Sequence, residues 1–452
     1  MGYFAFSKSF KGKKIVRIHD RATETTIGVT GSGYDEWYRY PASFLIPDED
    51  PQCSKEGNNA MGKYGYMLNS RTWTYDIGLA LLAFSTAKEW DIVDEMLHRL
   101  AIDQNADGSW NFSYDIYIGK LFHDYVRTGA MGWAVWGACY ALLQHDEWGD
   151  NKELYYDMLS KAGSWFLSHQ ITEPSDIRYG LLTGGYGAYD NDYNYSPIEI
   201  EWCSTEHNCS SMQALIGLSL VLDDSQYCDA AQMVKTALFT KLYDFENNRF
   251  YQGINGGKID KAWALDCTTW AGKLFLSITT GTLPNECLNT TLDTYYTTNK
   301  PIVTSSTKDR FNMRYTSDHL FNGFKPYSDI TPDYAGAPDI VWSEGTLGAV
   351  ALALYTEEFD LAKSWMDEMV ILQNCNNCTG GILYVTATYG EMPWEFHTWE
   401  SCVSSCWFYL LVHNPDVLFP ISLKYLDTFE ETYEFSHIGI GNVIQINNES
   451  EV

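Results

Sequence analysis

Trp202-Cys203-Ser204-Thr205-Glu206-His207-Asn208 is a dense polar cluster that opens onto an apolar run over 205–222, carrying Met212, Leu215, Ile216, Leu218 and Leu220. Hydroxyl and carboxylate residues ahead of a long apolar run mark a helix start, because their oxygens satisfy N–H groups of the first turn. The run is apolar on most sides and predicts a buried helix. The next run, 225–242, is apolar on one face only. A helix buried all round followed by an amphipathic one is what an inner and an outer layer require.

The same unit recurs along the chain. Its openings are Thr74-Tyr75-Asp76, Arg127-Thr128-Gly129, Ser204-Thr205-Glu206, Leu265-Asp266-Cys267, Ser343-Glu344-Gly345 and Trp399-Glu400-Ser401, at intervals of roughly 50 to 80 residues. Periodicity predicts helix pairs at 74–87 and 89–101, 127–144 and 152–169, 205–222 and 225–242, 266–279 and 284–298, and 344–356 and 358–373. A last inner helix, 400–413, stands alone. Gly- and aromatic-rich connectors precede the inner helices, such as Gly184-Gly185-Tyr186-Gly187 and Gly380-Gly381-Ile382-Leu383-Tyr384. They are long for plain helix–helix loops, as loops that build a site are. The expected organisation is all-α, with an irregular N-terminal segment over 1–68, the helical domain over 69–419, and a tail or cap over 420–452.

Composition narrows the chemistry. Thirty basic against 59 acidic residues give a net charge of −29, which repels phosphate backbones and anionic headgroups. Neither nucleic acid nor a membrane is an expected partner. Aromatic residues make up 15% of the chain, with 16 Trp and 32 Tyr. Amphipathic rings serve the core, and they also suit the apolar faces of sugars. Cys375-x2-Cys378 and Cys402-x3-Cys406 lack the context of a zinc site, so no metal and no cofactor is expected. Asn208 begins a sequon, but it sits in the first turn of the buried helix, where a glycan does not fit. No apolar core of a signal peptide and no membrane-length apolar stretch is seen, so the expectation is a cytoplasmic chain or a truncated secreted one. The sequence has no nucleophile elbow, His-Glu-x-x-His, Walker loop or dinucleotide fingerprint.

The hairpin rhythm, Arg127-Thr128-Gly129 before a Trp/Ala-rich helix, the Trp202–Asn208 cluster and Trp342-Ser343-Glu344-Gly345-Thr346 together resemble the six-hairpin glycosidase superfamily over roughly residues 70–415. That resemblance implies an (α/α)6 toroid whose cleft lies at the N-terminal ends of the inner helices, with paired carboxylates doing the chemistry. The sequence supplies eleven clear helices, so the sixth hairpin is expected to be completed by the N-terminal segment or to be absent.

Glycoside hydrolysis needs one carboxylic acid to protonate the leaving oxygen and one carboxylate to activate water or attack carbon. The candidates are Glu206, Glu344, Asp76 and Asp266, with Glu206 and Glu344 the preferred pair. Glu201 is a fifth candidate, and a carboxylate at a helix start, such as Glu400, also serves simply as a cap. Candidate substrate-binding residues are Arg127, Trp133, Tyr186, Trp202, His207, Trp270, Trp342 and Trp394. The expected partner is an oligosaccharide or polysaccharide. Alternatives on the same toroid are a polysaccharide lyase or sugar epimerase with a Tyr or His base, a non-catalytic glycan-binding protein and, remotely, a zinc-dependent toroid enzyme.

Overall fold

A computed structural model describes residues 7–10, 13–15, 40–46, 71–116, 119–120, 125–189, 195–269, 271–272, 283–303, 314–391 and 394–418. Its inner layer is α1 (Thr74–Thr86), α3 (Thr128–Gln144), α5 (Thr205–Leu222), a segment opening with the 3-10 turn Leu265–Cys267, α8 (Ser343–Tyr355) and α10 (Cys402–His413). The outer layer is α2 (Trp90–Asp103), α4 (Lys152–His169), α6 (Ser225–Ala237), α7 (Leu283–Tyr295) and α9 (Phe359–Gln373). Each inner helix packs on the one before and the one after it, and α10 packs back on α1, so the layer closes into a ring.

The inner helices are buried on nearly every side, whereas the outer ones bury a single face, as their apolar patterns require. Small residues let the inner helices approach closely. A Cβ on Gly78 of α1 would lie 2.4 Å from the backbone carbonyl carbon of Trp133 in α3. Among the described residues α10 has no outer partner. Its chain runs on into the 3-10 turn Pro415–Leu418, where the carbonyls of the buried Val417 and Leu418 accept hydrogen bonds from Trp136 Nε1 and Gln213 Nε2 of α3 and α5.

Very short strands organise the rim. The residues just before each inner helix pair antiparallel with the connector leading to the next one. Thus 71–73 pairs with 113–115, 126–127 with 185–186, 203–204 with 253–254 and 263–264 with 327–328. Trp342 bridges Val385, and 400–401 pairs with 44–45, which returns the chain to the first helix.

Extended pairing sets the N-cap backbone at Trp73, Arg127, Ser204, Ala264, Trp342 and Ser401 to β geometry, so each helix begins one residue later. The amide of that first residue donates to the next connector. Thr74, Thr128, Thr205, Leu265, Ser343 and Cys402 bond the carbonyls of Phe112, Gly184, Gln252, Pro326, Tyr384 and Ser43 at 2.9–3.2 Å. The hydroxyls of Thr74, Thr128 and Thr205 add a second bond, each to the preceding carbonyl of the same connector. Six helix starts are thereby tied into one ring.

Two expectations from the sequence are corrected. The last inner helix begins at Cys402, not at 400, because Glu400 and Ser401 are held in the closing strand. The helix expected over 284–298 ends at Tyr295 and becomes the strand Tyr296–Lys300, which pairs with Phe321–Phe324 and includes β-branched Thr297 and Thr298 and the left-handed Asn299 (φ 59°). The run over 225–242 is helical throughout, as expected, with its last turn, Leu238–Leu242, wound as a π-helix. The tail after 418 and residues 273–280 of the fourth inner run lie outside the described residues.

Glu400 fastens this closing strand. Its carboxylate accepts from Thr379 N (3.1 Å), Thr379 Oγ1 (2.8 Å), Gly381 N (2.9 Å) and Tyr315 OH (3.3 Å). It is 3% exposed, and its role is to anchor the connector. Glu400→Gln would turn an amide donor against backbone donors, so equilibrium unfolding in urea is expected to show a loss of about 1–3 kcal/mol. Unchanged stability would remove this anchor from the account.

Candidate active site

Indexing the inner helices by the amide that makes the ring hydrogen bond places equivalent residues side by side. The second helical position then holds Tyr75, Gly129, Glu206, Asp266, Glu344 and Val403 in order around the mouth. Three successive inner helices therefore present a carboxylate at the same level. Asp76 falls one position deeper and Glu400 two residues before its helix. The structure thus sets Glu206, Asp266 and Glu344 at one level, with Asp76 one position deeper but still close enough for its charge to act on Glu344, and leaves Glu400 apart from them.

Electrostatics follow from that geometry. Glu344 is 8% exposed. Burial pushes its carboxyl well above the usual range, and the charges of Asp266, Asp76 and Glu206 push the same way. Burial likewise lifts Glu206 to about 7. Asp76 is lifted to about 7 by burial, against the pull of a hydrogen bond from the Ser43 side chain. A helix N-terminus favours a carboxylate by about 0.3–1 kcal/mol, under one pK unit. Glu206 rises despite that, so desolvation wins.

Tyr75 reaches from α1 to the fifth inner helix. Its OH donates to Glu344 Oε1 at 2.6 Å, and Trp407 Nε1 donates to the Tyr75 oxygen at 3.0 Å. Trp133 is only 2% exposed and lies against both rings, with centroids 5.5 Å from Tyr75 and 6.1 Å from Trp407. It supports Tyr75 from below instead of offering a face to the mouth.

At the second inner helix the missing side chain of Gly129 is replaced by His207 from its neighbour. A Cβ at 129 would sit 2.4 Å from His207 Cδ2. Burial and then the Arg127 charge lower the imidazole to about 3, so it is neutral, and its buried Nδ1 has no protein hydrogen-bond partner. Trp202 lies beside it at 5.1 Å. Arg127 itself is engaged by the rim. Its Nη1 donates to the carbonyls of Val126, Tyr186 and Gly187, and its guanidinium lies 3.8 Å over Tyr125. It pairs with rings and carbonyls, not with Asp76 or Glu206.

Several residues of the mouth were not singled out by the sequence. Tyr327 and Tyr334 stack at 4.3 Å, and Tyr334 OH donates to Gln252 Oε1 at 2.7 Å. Tyr384 packs against Phe44 and Trp342. Burial first, then the carboxylates nearby, raise the Tyr327 and Tyr384 phenols, so both remain O–H donors. Tyr75 stood inside the first opening and was legible as a rim residue; the others lay in connectors marked only by aromatic content. Tyr186 is half-buried with its OH 3.2 Å from Ser109 Oγ, and Trp342 is buried at the N-cap of α8. Trp270 and the side chain of Trp394 lie outside the described residues.

Asn208, fully buried, uses its amide on Leu182 and Ser204, which leaves no room for a glycan. Among the described residues no group of three or more His, Cys, Asp or Glu is arranged to hold a metal, and no helix is long and apolar enough to cross a membrane.

No family model and no curated protein matches the sequence. Among solved structures the chain is similar to cellobiose 2-epimerase from Spirochaeta thermophila DSM 6192, with a TM-score of 0.50 and 11% identity over 77% of this chain and 86% of that one. Cellobiose 2-epimerase from Bacillus thermoamylovorans B4167 gives 0.50 and 9% over 75% and 87%. A GH76 α-mannanase from Bacteroides thetaiotaomicron gives 0.46 and 12% over 75% and 85%. At such identities the likeness is one of architecture: the chain shares the (α/α)6 toroid fold of these enzymes.

Proposed function

We propose that this protein is a carbohydrate-active enzyme and that its reaction is glycoside hydrolysis. The observation that carries the reading is the alignment of Glu206, Asp266 and Glu344 at one level of three neighbouring inner helices, under a wall of tyrosines. Pairs of acids whose environments push their protonation apart identify an acid and a base. Glu344, more deeply buried and surrounded by the other acids, is the proton donor to the leaving oxygen. Glu206 is the partner that ionises first and activates water or attacks carbon. Asp266 sits between them and keeps Glu344 protonated by its charge. The phenols of Tyr327, Tyr334 and Tyr384 supply donors and ring faces for sugar hydroxyls and pyranose faces.

A second reading, sugar epimerisation, is favoured by one feature, the neutral imidazole of His207 with an unpartnered Nδ1. The toroid also occurs in cellobiose 2-epimerases. A lyase acting on uronates finds less support, because Arg127 is held by connector carbonyls.

Incubation with a panel of neutral oligosaccharides, followed by NMR of the products, separates these readings. Hydrolysis liberates new reducing ends; an epimer formed without cleavage supports the second reading. Glu206→Gln and Glu344→Gln are each expected to lower kcat by about 10²–10⁴-fold. Full activity in both would overturn the assignment. In wild-type enzyme kcat/KM is expected to rise as Glu206 ionises near pH 7 and to fall at higher pH as Glu344 loses its proton. A profile falling continuously from pH 5 to 8 would contradict these roles.

The acids also link stability to pH. Glu206 titrates near 7 when folded and about 4.3 when unfolded. Its contribution is fully present below the unfolded value and is lost as pH rises through 7. Tm is therefore expected to decline from pH 5 to 8, and Glu206→Gln should flatten that decline. Parallel curves for the two proteins would refute the coupling.

Gly129→Ala isolates His207. The added methyl displaces the ring, so crystallography should show a moved imidazole, with substrate affinity weakened by about tenfold if His207 binds sugar hydroxyls. Unchanged KM and kcat would exclude His207 from the substrate.

A further inference from the structure

We infer that Tyr75, fixed by Trp407, is a positioning residue that decides which oxygen of Glu344 carries the catalytic proton, leaving Oε2 as the acid oxygen. The inference rests on the reading of Glu344 as proton donor and adds a residue to it.

The geometry begins with donor bookkeeping. An indole N–H only donates, so Trp407 Nε1 must place its hydrogen on the Tyr75 oxygen. A phenol has one hydrogen of its own. Among the described residues its remaining hydrogen-bond partner is Glu344 Oε1 at 2.6 Å. The chain therefore runs in one direction, from Trp407 through Tyr75 to Glu344. Oε1 is committed as an acceptor, and when Glu344 is protonated the hydrogen resides on Oε2.

The rest of the surroundings make this ordering useful. Burial disfavours the charged form of Glu344, and it is faced by Asp266 from the fourth inner segment, by Asp76 from α1 and by Glu206 from α5. Tyr327 and Tyr384 face it from the connectors. Asp266, Asp76 and Glu206 favour a protonated Glu344, whereas the hydrogen bond from Tyr75 pulls toward the carboxylate form. It offsets part of the rise, so the acid can release its proton, and it holds the releasing oxygen in a single orientation. Trp407 is fully buried in α10 and Trp133 packs beneath, so the phenol has little freedom to turn away.

The experiment compares Tyr75→Phe with wild type in two measurements. One is the pH dependence of kcat and KM on a cleaved oligosaccharide. The other is an infrared titration of the Glu344 carboxyl band in substrate-free protein, identified by its loss in Glu344→Gln. Removing the phenol hydrogen should move the Glu344 titration and the alkaline limb to higher pH by roughly half a unit or more. The acid limb set by Glu206 should stay, kcat should fall by about tenfold, and KM should change little. Trp407→Phe should shift the same band in the same direction by less, and it serves if Tyr75→Phe does not fold. A packing role would lower stability or kcat without moving either titration, and an unmoved band in both variants overturns the inference. Wild-type protein that cleaves no saccharide, yet shows the infrared shift, removes the hydrolase reading while leaving the Trp407–Tyr75–Glu344 order intact. Cleavage with no shift does the reverse.

Discussion

The structure depends on one repeated hydrogen bond, from the first amide of each inner helix to a carbonyl of the following connector. The first four N–H groups of any helix lack intrahelical partners. Here one is used to tie neighbouring units together, and the extended residue before it is held by a strand only two or three residues long. The remaining N-terminal groups open toward the mouth. At α1, α3 and α8 no side chain caps them, because the N-cap positions are Trp73, Arg127 and Trp342. Ser204 and Ser401 do cap their helices. A ring built in this way lifts the second residue of every inner helix to the same height, and the chemistry of the mouth is whatever the sequence supplies at those six places.

Around that ring the supply is uneven. Carboxylates occupy the third, fourth and fifth places, while Val403, Tyr75 and Gly129 occupy the others. Clustering acids on one side is costly, since each makes the ionisation of the next harder, and burial adds to the same effect. Cations would relieve it, but Arg127 is engaged with carbonyls and Tyr125. The relief comes instead from protons kept on the acids and from neutral O–H donors such as Tyr75. A cluster of this kind holds its protons near neutrality, where an isolated carboxylate has none.

Much of the fold was legible in the sequence, because apolar runs of thirteen to eighteen residues are too long for strands, and the runs between them are apolar on one face at helical spacing. The inner or outer identity of each helix was legible too, from whether one face or all faces were apolar. The strands were not, since a pair such as Cys203–Ser204 has no pattern of its own and is fixed by its partner in the next connector. That omission blurred the register. Reading openings by their carboxylates placed Asp76 and Glu400 level with Glu206, whereas the hydroxyl residues Thr74, Thr128, Thr205 and Ser343 are the better index of where a helix starts. With that index Asp76 drops below the acidic row and Glu400 becomes an anchor for residues 379–381. Tyr75 was legible as a rim residue but its pairing with Glu344 was not, because that partner lies 269 residues away, beyond any local pattern.

The bond between Cys402 and Ser43 has a consequence of its own. Five of the six ties join segments that follow one another along the chain, so each closes a short loop and can form as its own hairpin folds. The sixth joins the two ends of the helical array, and the entropy of closing a loop grows with its length. It also requires every earlier unit to have bent by its share, since an error in any one leaves the ends apart. The seam is thus a checkpoint on the curvature of the whole molecule. A hairpin packed at the wrong angle is registered there, far from where it occurred, as a ring that does not meet.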